Sequence, residues 1–211
     1  MSASIPEASL LSAPQRPPNL KAKERILAAA YDLFSRHGIR AVGIDAIIEK
    51  SGVARMTLYR HFNCKEQLVL AFLEQRARFW VGGWLQEEVN RRAQTPADRL
   101  LAIFDVFGQW FRVDGFEGCA FINVMLEIAN RDDKIRRASV DYLGKIREFL
   151  AQLAGEAGIR DRDAFARKWH ILMKGAIVAA TEGDRDAGTR AREIGALVLA
   201  DALANDATAP A

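Results

Sequence analysis

Apolar residues recur along nearly the whole chain at the three- and four-residue spacing of one helix face, and sustained two-residue alternation is missing. A chain patterned in this way has to bury helical stripes against one another, because it has no alternating faces from which to build a sheet. Residues 20–37 set Ile26, Leu27, Ala30, Leu33 and Phe34 on one side of a helix that Gly38 closes. The same periodicity predicts helices over 44–50, 54–61, about 65–92, 96–111, 118–129, 132–157, 162–182 and 186–205, which makes nine. Thr95-Pro96 is a start signal of the N-cap and first-position-proline kind, and Gly155, Gly158 and Gly183 are plausible terminators. The expectation is an all-α chain.

Composition limits the function classes. Half of the 211 residues are apolar and 27% are charged, and no apolar run approaches the roughly 20 residues of a membrane span. The first 19 residues, rich in Ser and Pro, read as a disordered arm without the pattern of a secretory signal, and 206–211 read as a flexible tail. Cys64 and Cys119 stand far apart and fit no metal spacing, so a reduced, cytoplasmic setting is expected, with no metal or cofactor. The charge is unevenly spread. Residues 16–78 hold 12 Lys/Arg against 6 Asp/Glu, whereas 79–211 hold 18 against 20. A basic surplus confined to one small N-terminal unit suits a polyanion such as nucleic acid.

The segment Ile44–Lys65, IDAIIEKSGVARMTLYRHFNCK, sharpens that reading. Two short helices flank a tight turn at Ser51-Gly52-Val53, where Gly52 can take positive φ and Val53 can plug the angle between the helices. This is a helix-turn-helix, and the second helix of such a unit enters the major groove of DNA. Leu58 and Phe62 point to the core, leaving Arg55, Met56, Thr57, Arg60 and His61 elsewhere on the cylinder. Arg55 at the helix start suits bidentate contact with guanine, and Met56 suits a thymine methyl. Thr57 and Tyr59 carry hydroxyls for phosphate oxygens, and Lys65 opens the next helix with its charge beside free N–H groups.

From Lys23 to Leu73 the chain resembles the tetracycline-repressor (TetR) family of transcriptional regulators, through its Gly-Val, Thr-Leu-Tyr, His-Phe and Lys-Glu-x-Leu elements. The resemblance implies a nine-helix fold, a homodimer, and DNA release controlled by a small-molecule effector. It casts Arg55, Met56, Thr57 and Arg60 as base-proximal, and Tyr59, His61 and Lys65 as phosphate-proximal. The chain departs from the family at three places. Gly43 stands where a capping Ser or Thr would also touch phosphate, Ile48 replaces a smaller residue, and Cys64 replaces a better N-cap, for which Asn63 is a substitute. The implied domains are a DNA-binding head over 20–64 and a ligand-binding, dimerising body over 65–205.

Beyond residue 80 the likeness is one of layout only. Phe104, Phe107, Trp110, Phe111, Cys119, Phe121, Met125, Trp169, His170 and Met173 are candidates to line an effector pocket, although the same spacing also suits plain core. Ala166, Met173, Ala176, Ile177 and Ala180, with Ile194, Leu197 and Val198, are candidates for a dimer seam, or else they cover the monomer core. Gly82-Gly83 in the long helix reads either as a bend or as a close packing point. The expected function is a ligand-released repressor acting on a pseudo-palindromic operator. An activator or a protein-interaction regulator is the alternative. A helical enzyme fits poorly, since His37, His61 and His170 form no catalytic or metal-binding pattern.

Overall fold

The computed structural model describes residues 21–208, and within that span the side chains of residues 81, 82 and 205–208 are left aside. The expected N-terminal arm, 1–19, lies outside the described residues. Among the described residues every regular element is a helix: α1 Ala22–Ala41, α2 Ile44–Ser51, α3 Arg55–His61, α4 Lys65–Phe79 continued by a π-helical turn Trp80–Trp84 and by Leu85–Arg92, α5 Pro96–Trp110, α6 Ala120–Glu127, α7 Lys134–Glu156, α8 Arg162–Thr181 and α9 Ala187–Thr208. With the interrupted α4 taken as one helix, these are the nine anticipated. Helix α9 continues past residue 205, where a tail was expected to begin, and residues 209–211 lie outside the described residues.

Local chemistry sets the ends. Gly38 interrupts α1 with φ 76 and ψ 171, so the expected stop at that residue is a kink followed by one more turn. Thr95 caps α5 by accepting the Asp98 backbone N–H at 3.1 Å, with Pro96 in the first turn. Asp161 caps α8 in the same way through Ala164, also at 3.1 Å. Cys64 begins α4 with its backbone alone, its carbonyl accepting from Leu68 at 3.4 Å, while the Asn63 N–H is held by the Gln67 side chain at 3.0 Å.

The chain forms two compact units, one comprising residues 21–77 and 119–141, the other 78–118 and 142–208. This division by packing differs from the head-and-body boundary expected at 64/65, because the first half of α4 shares its core with α1. Leu68, Val69, Phe72 and Leu73 of α4 are buried. The Phe72 ring meets Tyr31 at 5.5 Å and Phe34 at 5.6 Å between centroids, both edge-on. Arg76, only 2% exposed, donates to the Tyr31 hydroxyl and lays its guanidinium over that ring, which offsets the cost of burying a charge. Asp32 accepts from Arg36 one turn on and from Lys50 of α2, fastening α1 to the helix-turn-helix.

In the second unit α9 packs on α5 through two glycines seven residues apart. A Cβ on Gly188 would stand 2.6 Å from the Gly108 nitrogen and 2.9 Å from the Phe104 carbonyl oxygen. One on Gly195 would stand 2.9 Å from the Phe104 ring and 3.0 Å from that of Trp169. Phe104 and Trp169 are themselves fully buried, each contributing about 1.5–3 kcal/mol of apolar burial.

Candidate nucleic-acid interface

Helix α3 is held from beneath and open above. Gly52 closes α2 in the left-handed region (φ 63, ψ 32), with its N–H shared between the carbonyls of Ile48 at 3.0 Å and Glu49 at 3.3 Å. That turn aims the chain so that Val53, Leu58 and Phe62 enter the core, at 7%, 0% and 4% exposure. Seven residues of isolated helix would not be stable in water, so the orientation of α3 comes from this anchoring. The opposite face carries Arg55, Met56, Tyr59, Arg60 and His61, all exposed, with Thr57 half-buried. Met56 is 75% exposed, an unusual place for a thioether unless something covers it.

The other candidates join this face to different degrees. Gly43 is the N-cap of α2, with extended backbone and nothing within 4 Å of where a Cβ would project. Lys65 is half-buried, and burial pushes its ammonium pKa below the ordinary lysine value against the opposing pull of the Glu127 carboxylate. Its charge is therefore already shared within the protein.

Two polar contacts at the head were missed from sequence. Asp45, in the first turn of α2, pairs with the Arg55 guanidinium, and both side chains are solvated. Such a pair is weak enough for a nucleic acid to compete with it, yet it pre-sets where the guanidinium waits. Glu127, the last residue of α6, accepts the backbone N–H groups of Ile39, at 2.9 Å, and of Arg40. The positive φ of Gly38 turns both donors toward that carboxylate, and a Cβ there would come within 3.2 Å of it. The acidic partner of Arg55 was visible as a first-turn residue, whereas an 88-residue separation hid that of Ile39.

The ten pocket candidates do not all lie in one compact unit. Cys119, Phe121 and Met125 belong to the first unit, and the other seven to the second. There Phe104, Phe107, Trp110, Phe111, Trp169 and Met173 are buried, with Phe104–Trp169 centroids 5.2 Å apart and Phe107–Trp110 centroids 5.5 Å apart. His170 is 3% exposed and its Nδ1 meets no hydrogen-bond partner. Burial, reinforced by the positive charges of Lys174 and Arg147, pushes its pKa down to about 3. The indole N–H groups of Trp84, Trp110 and Trp169 are likewise buried without acceptors. A buried polar group in that condition costs on the order of 1–3 kcal/mol.

The seam candidates divide by burial. Ala166, Met173, Ala176 and Ile177 are taken into the chain's own core, and Ala180 and Val198 are half-buried. Ile194 at 51% and Leu197 at 73% are exposed on α9, and on α8 the exposed apolar positions are Ile171 at 70% and Val178 at 48%. The registers of Ile171 and Val178 place them opposite the small residues chosen from sequence. Among the described residues no group of three or more His, Cys, Asp or Glu is arranged to hold a metal ion, and no helix is long and apolar enough to cross a membrane.

Comparison with known proteins places this geometry. Residues 26–72 match the model of bacterial regulatory proteins of the tetR family, and residues 96–194 match that of the tetracyclin repressor-like C-terminal domain. The HTH-type transcriptional activator FasR of Mycolicibacterium smegmatis is 31% identical over 102 residues, which are 47% of this chain and 44% of that protein. An HTH-type transcriptional regulator from the lacX 3' region of Lactococcus lactis is 24% identical over 63% of this chain and 70% of its own length. Among solved structures, a TetR-family transcriptional regulator from Streptomyces coelicolor superposes with a TM-score of 0.77 at 29% identity, covering 86% of this chain and 95% of that one.

Proposed function

Because this chain belongs to the TetR family of bacterial regulatory proteins, and is therefore a helix-turn-helix transcriptional regulator, we propose that it is a cytoplasmic repressor that binds a pseudo-palindromic operator as a homodimer and leaves it when a small, largely apolar effector binds. The observation that carries this reading is α3, fixed through Leu58 and Phe62 with Arg55, Met56, Tyr59 and Arg60 turned outward. Arg55, Met56, Thr57 and Arg60 read base edges; Tyr59, His61 and Lys65, with the backbone at Gly43, hold phosphates. Residues 20–64 act as the DNA-binding head and 65–205 as the effector and dimer body.

Two recognition helices must reach half-sites about one helical turn, roughly 34–36 Å, apart or further, so a second copy is required. Ile171, Val178, Ile194 and Leu197, exposed on α8 and α9, supply the apolar face for it. The buried aromatic residues of the second unit, from Phe104 to Trp169 with His170 and Met173, bound the effector site, and an effector that prefers a DNA-incompetent state shifts the population off the operator.

The test is selection of binding duplexes from a random library, followed by anisotropy titration of the selected sequence. Arg55→Ala with Tyr59→Ala should reduce selected-site affinity by at least tenfold, as expected for about 1–3 kcal/mol per base-reading contact, and should relax base preference. Binding should also fall steeply with salt. Unchanged selectivity in the double variant would overturn the reading. The relative FasR is named an activator, so the sign of regulation is the point at which a second reading stands. Reporter output with and without the gene separates the two.

A further inference from the structure

The π-helical turn Trp80–Trp84 interrupts α4 at the sequence WVGGW, where the i→i+5 pattern accommodates one residue more than an α-helical turn. Such turns widen a helix locally and concentrate at functional sites. Around this one the rings crowd. Trp80 lies 4.9 Å from Trp84 and 4.4 Å from Trp110 between centroids, and Phe79 stacks on Trp84 at 6.3 Å with the planes only 6° apart. Trp110 is in turn edge-on to Phe116 at 4.8 Å and to Phe107 at 5.5 Å. All of these residues belong to the second compact unit.

Packing alone would be served by phenylalanine. Trp84, 8% exposed, and Trp110, 2% exposed, instead each bring an N–H that is buried and without an acceptor. Trp80 lies between the two rings and in contact with both, so the two unsatisfied donors belong to one cluster, set against a helix turn already wider than its neighbours. Resting on the reading of this protein as an effector-controlled regulator, we infer that the Trp80–Trp84 turn with Trp110 is the effector subsite, and that it takes a flat aromatic compound bearing a hydrogen-bond acceptor, such as a carbonyl oxygen, bound by the indole N–H groups of Trp84 and Trp110. The ring faces receive the aromatic body. The two donors select against a purely hydrocarbon ligand, since only an acceptor satisfies them.

The probes are 2-acetylnaphthalene and 2-ethylnaphthalene, which share ring and size and differ by a carbonyl in place of a methylene. Calorimetric titration into the intact protein should show the ketone binding at least tenfold more tightly than the hydrocarbon. Trp84→Phe and Trp110→Phe should each remove most of that preference while changing affinity for the ethyl compound less than threefold. In the unmutated protein, the indole N–H resonances of Trp84 and Trp110 should move downfield on adding the ketone, as a new hydrogen bond requires, by clearly more than on adding the hydrocarbon, which decides the matter even if a variant fails to fold. Equal affinities, no binding of either probe, or a preference that survives both substitutions would overturn the subsite. A mobility shift with the same ketone separates this from the broader reading. Binding at the two indoles without loss of DNA supports the subsite and counts against effector-controlled release. Release by the hydrocarbon alone does the reverse.

Discussion

The two compact units place their polar groups differently. In the first, the side chains that brace the helix-turn-helix have specific protein partners, Asp32 on Arg36 and Lys50 and Glu127 on two backbone N–H groups, and the outer face of α3 is solvated, while Arg25 Nε, Ser35 Oγ and Gln75 Oε1 are buried without a partner. In the second, a helical core dense in aromatic residues contains three indole N–H groups and one imidazole nitrogen with no partner. A surface that reads DNA must be rigid underneath and free on top, because its ligand arrives from outside. A site that takes a small molecule is built inside, from groups whose partners come with the ligand. The glycines repeat the contrast. Gly188 is required by crowding, whereas Gly43 faces open space.

At neutral pH the largest expected effect tests the crowded side. Gly188→Ala puts a methyl 2.6–2.7 Å from the Gly108 backbone, and neither helix can yield there by moving a side chain. Overpacking of this kind costs typically about 1–3 kcal/mol. Thermal or denaturant melts should show the loss. DNA affinity of the folded fraction should change little, because the substitution lies outside the first unit. A variant as stable as the parent would mean that the α5–α9 contact is looser than the geometry describes.

Next in size is Glu127→Ala. It strips a carboxylate from two backbone donors, one of them on Ile39, itself 5% exposed. Hydrogen bonds to a charged group contribute roughly 1.5–3 kcal/mol when buried, and about half of that is expected at this partly solvated position. Hydrogen exchange at Ile39 and Arg40 should accelerate. Unchanged exchange would mean that this carboxylate does not hold the Ile39–Arg40 backbone.

The head was far more legible than the body, for the same reason that the two differ. Gly52, Val53, Leu58 and Phe62 act locally, within one turn of the contacts they make, so spacing alone located α3 and its outward residues. In the body, spacing found the helices but not which side of each is covered. Met173 and Ile177, read as either seam or monomer core, are buried within the chain, while Ile171 and Val178 are the exposed pair. Burial there depends on how α5, α8 and α9 meet, and the meeting is set by Gly188 and Gly195, whose neighbours are remote in sequence. The Gly82-Gly83 pair was read as a bend or a packing point, and the backbone there forms the π turn.

Acid stability tests the buried side of the comparison. The His170 pKa is about 3 in the folded protein against an ordinary 6.5. The unfolded chain therefore binds a proton that the native state refuses between those values, and stability falls as pH drops from 6.5 toward 3. The slope from this group is at most about 1.4 kcal/mol per pH unit. His170→Phe, which keeps a ring and removes the titration, should flatten the acid arm of a stability–pH curve by that slope. An unaltered slope would mean that the imidazole is not the proton acceptor, and the claim that this unit hides unpartnered polar groups would lose one member.

The smallest effect probes the open side, at Gly43. This residue caps α2 with φ −81 and ψ 160, an extended conformation that serine adopts without strain, and nothing lies within 4 Å of the added Cβ. Gly43→Ser supplies a hydroxyl that can accept a first-turn N–H of α2, a gain over glycine of only a few tenths of a kcal/mol. On the proposed DNA face the same hydroxyl can donate to a phosphate oxygen. The expected outcome is a melting temperature raised by no more than a degree or two and duplex affinity tightened about twofold, equally for selected and unrelated sequences, because a phosphate contact carries no base information. Tighter binding confined to the selected sequence would place residue 43 near base edges. A tenfold loss would show that α2 approaches the duplex too closely for a side chain, making this glycine, like Gly188, a residue required by its neighbour.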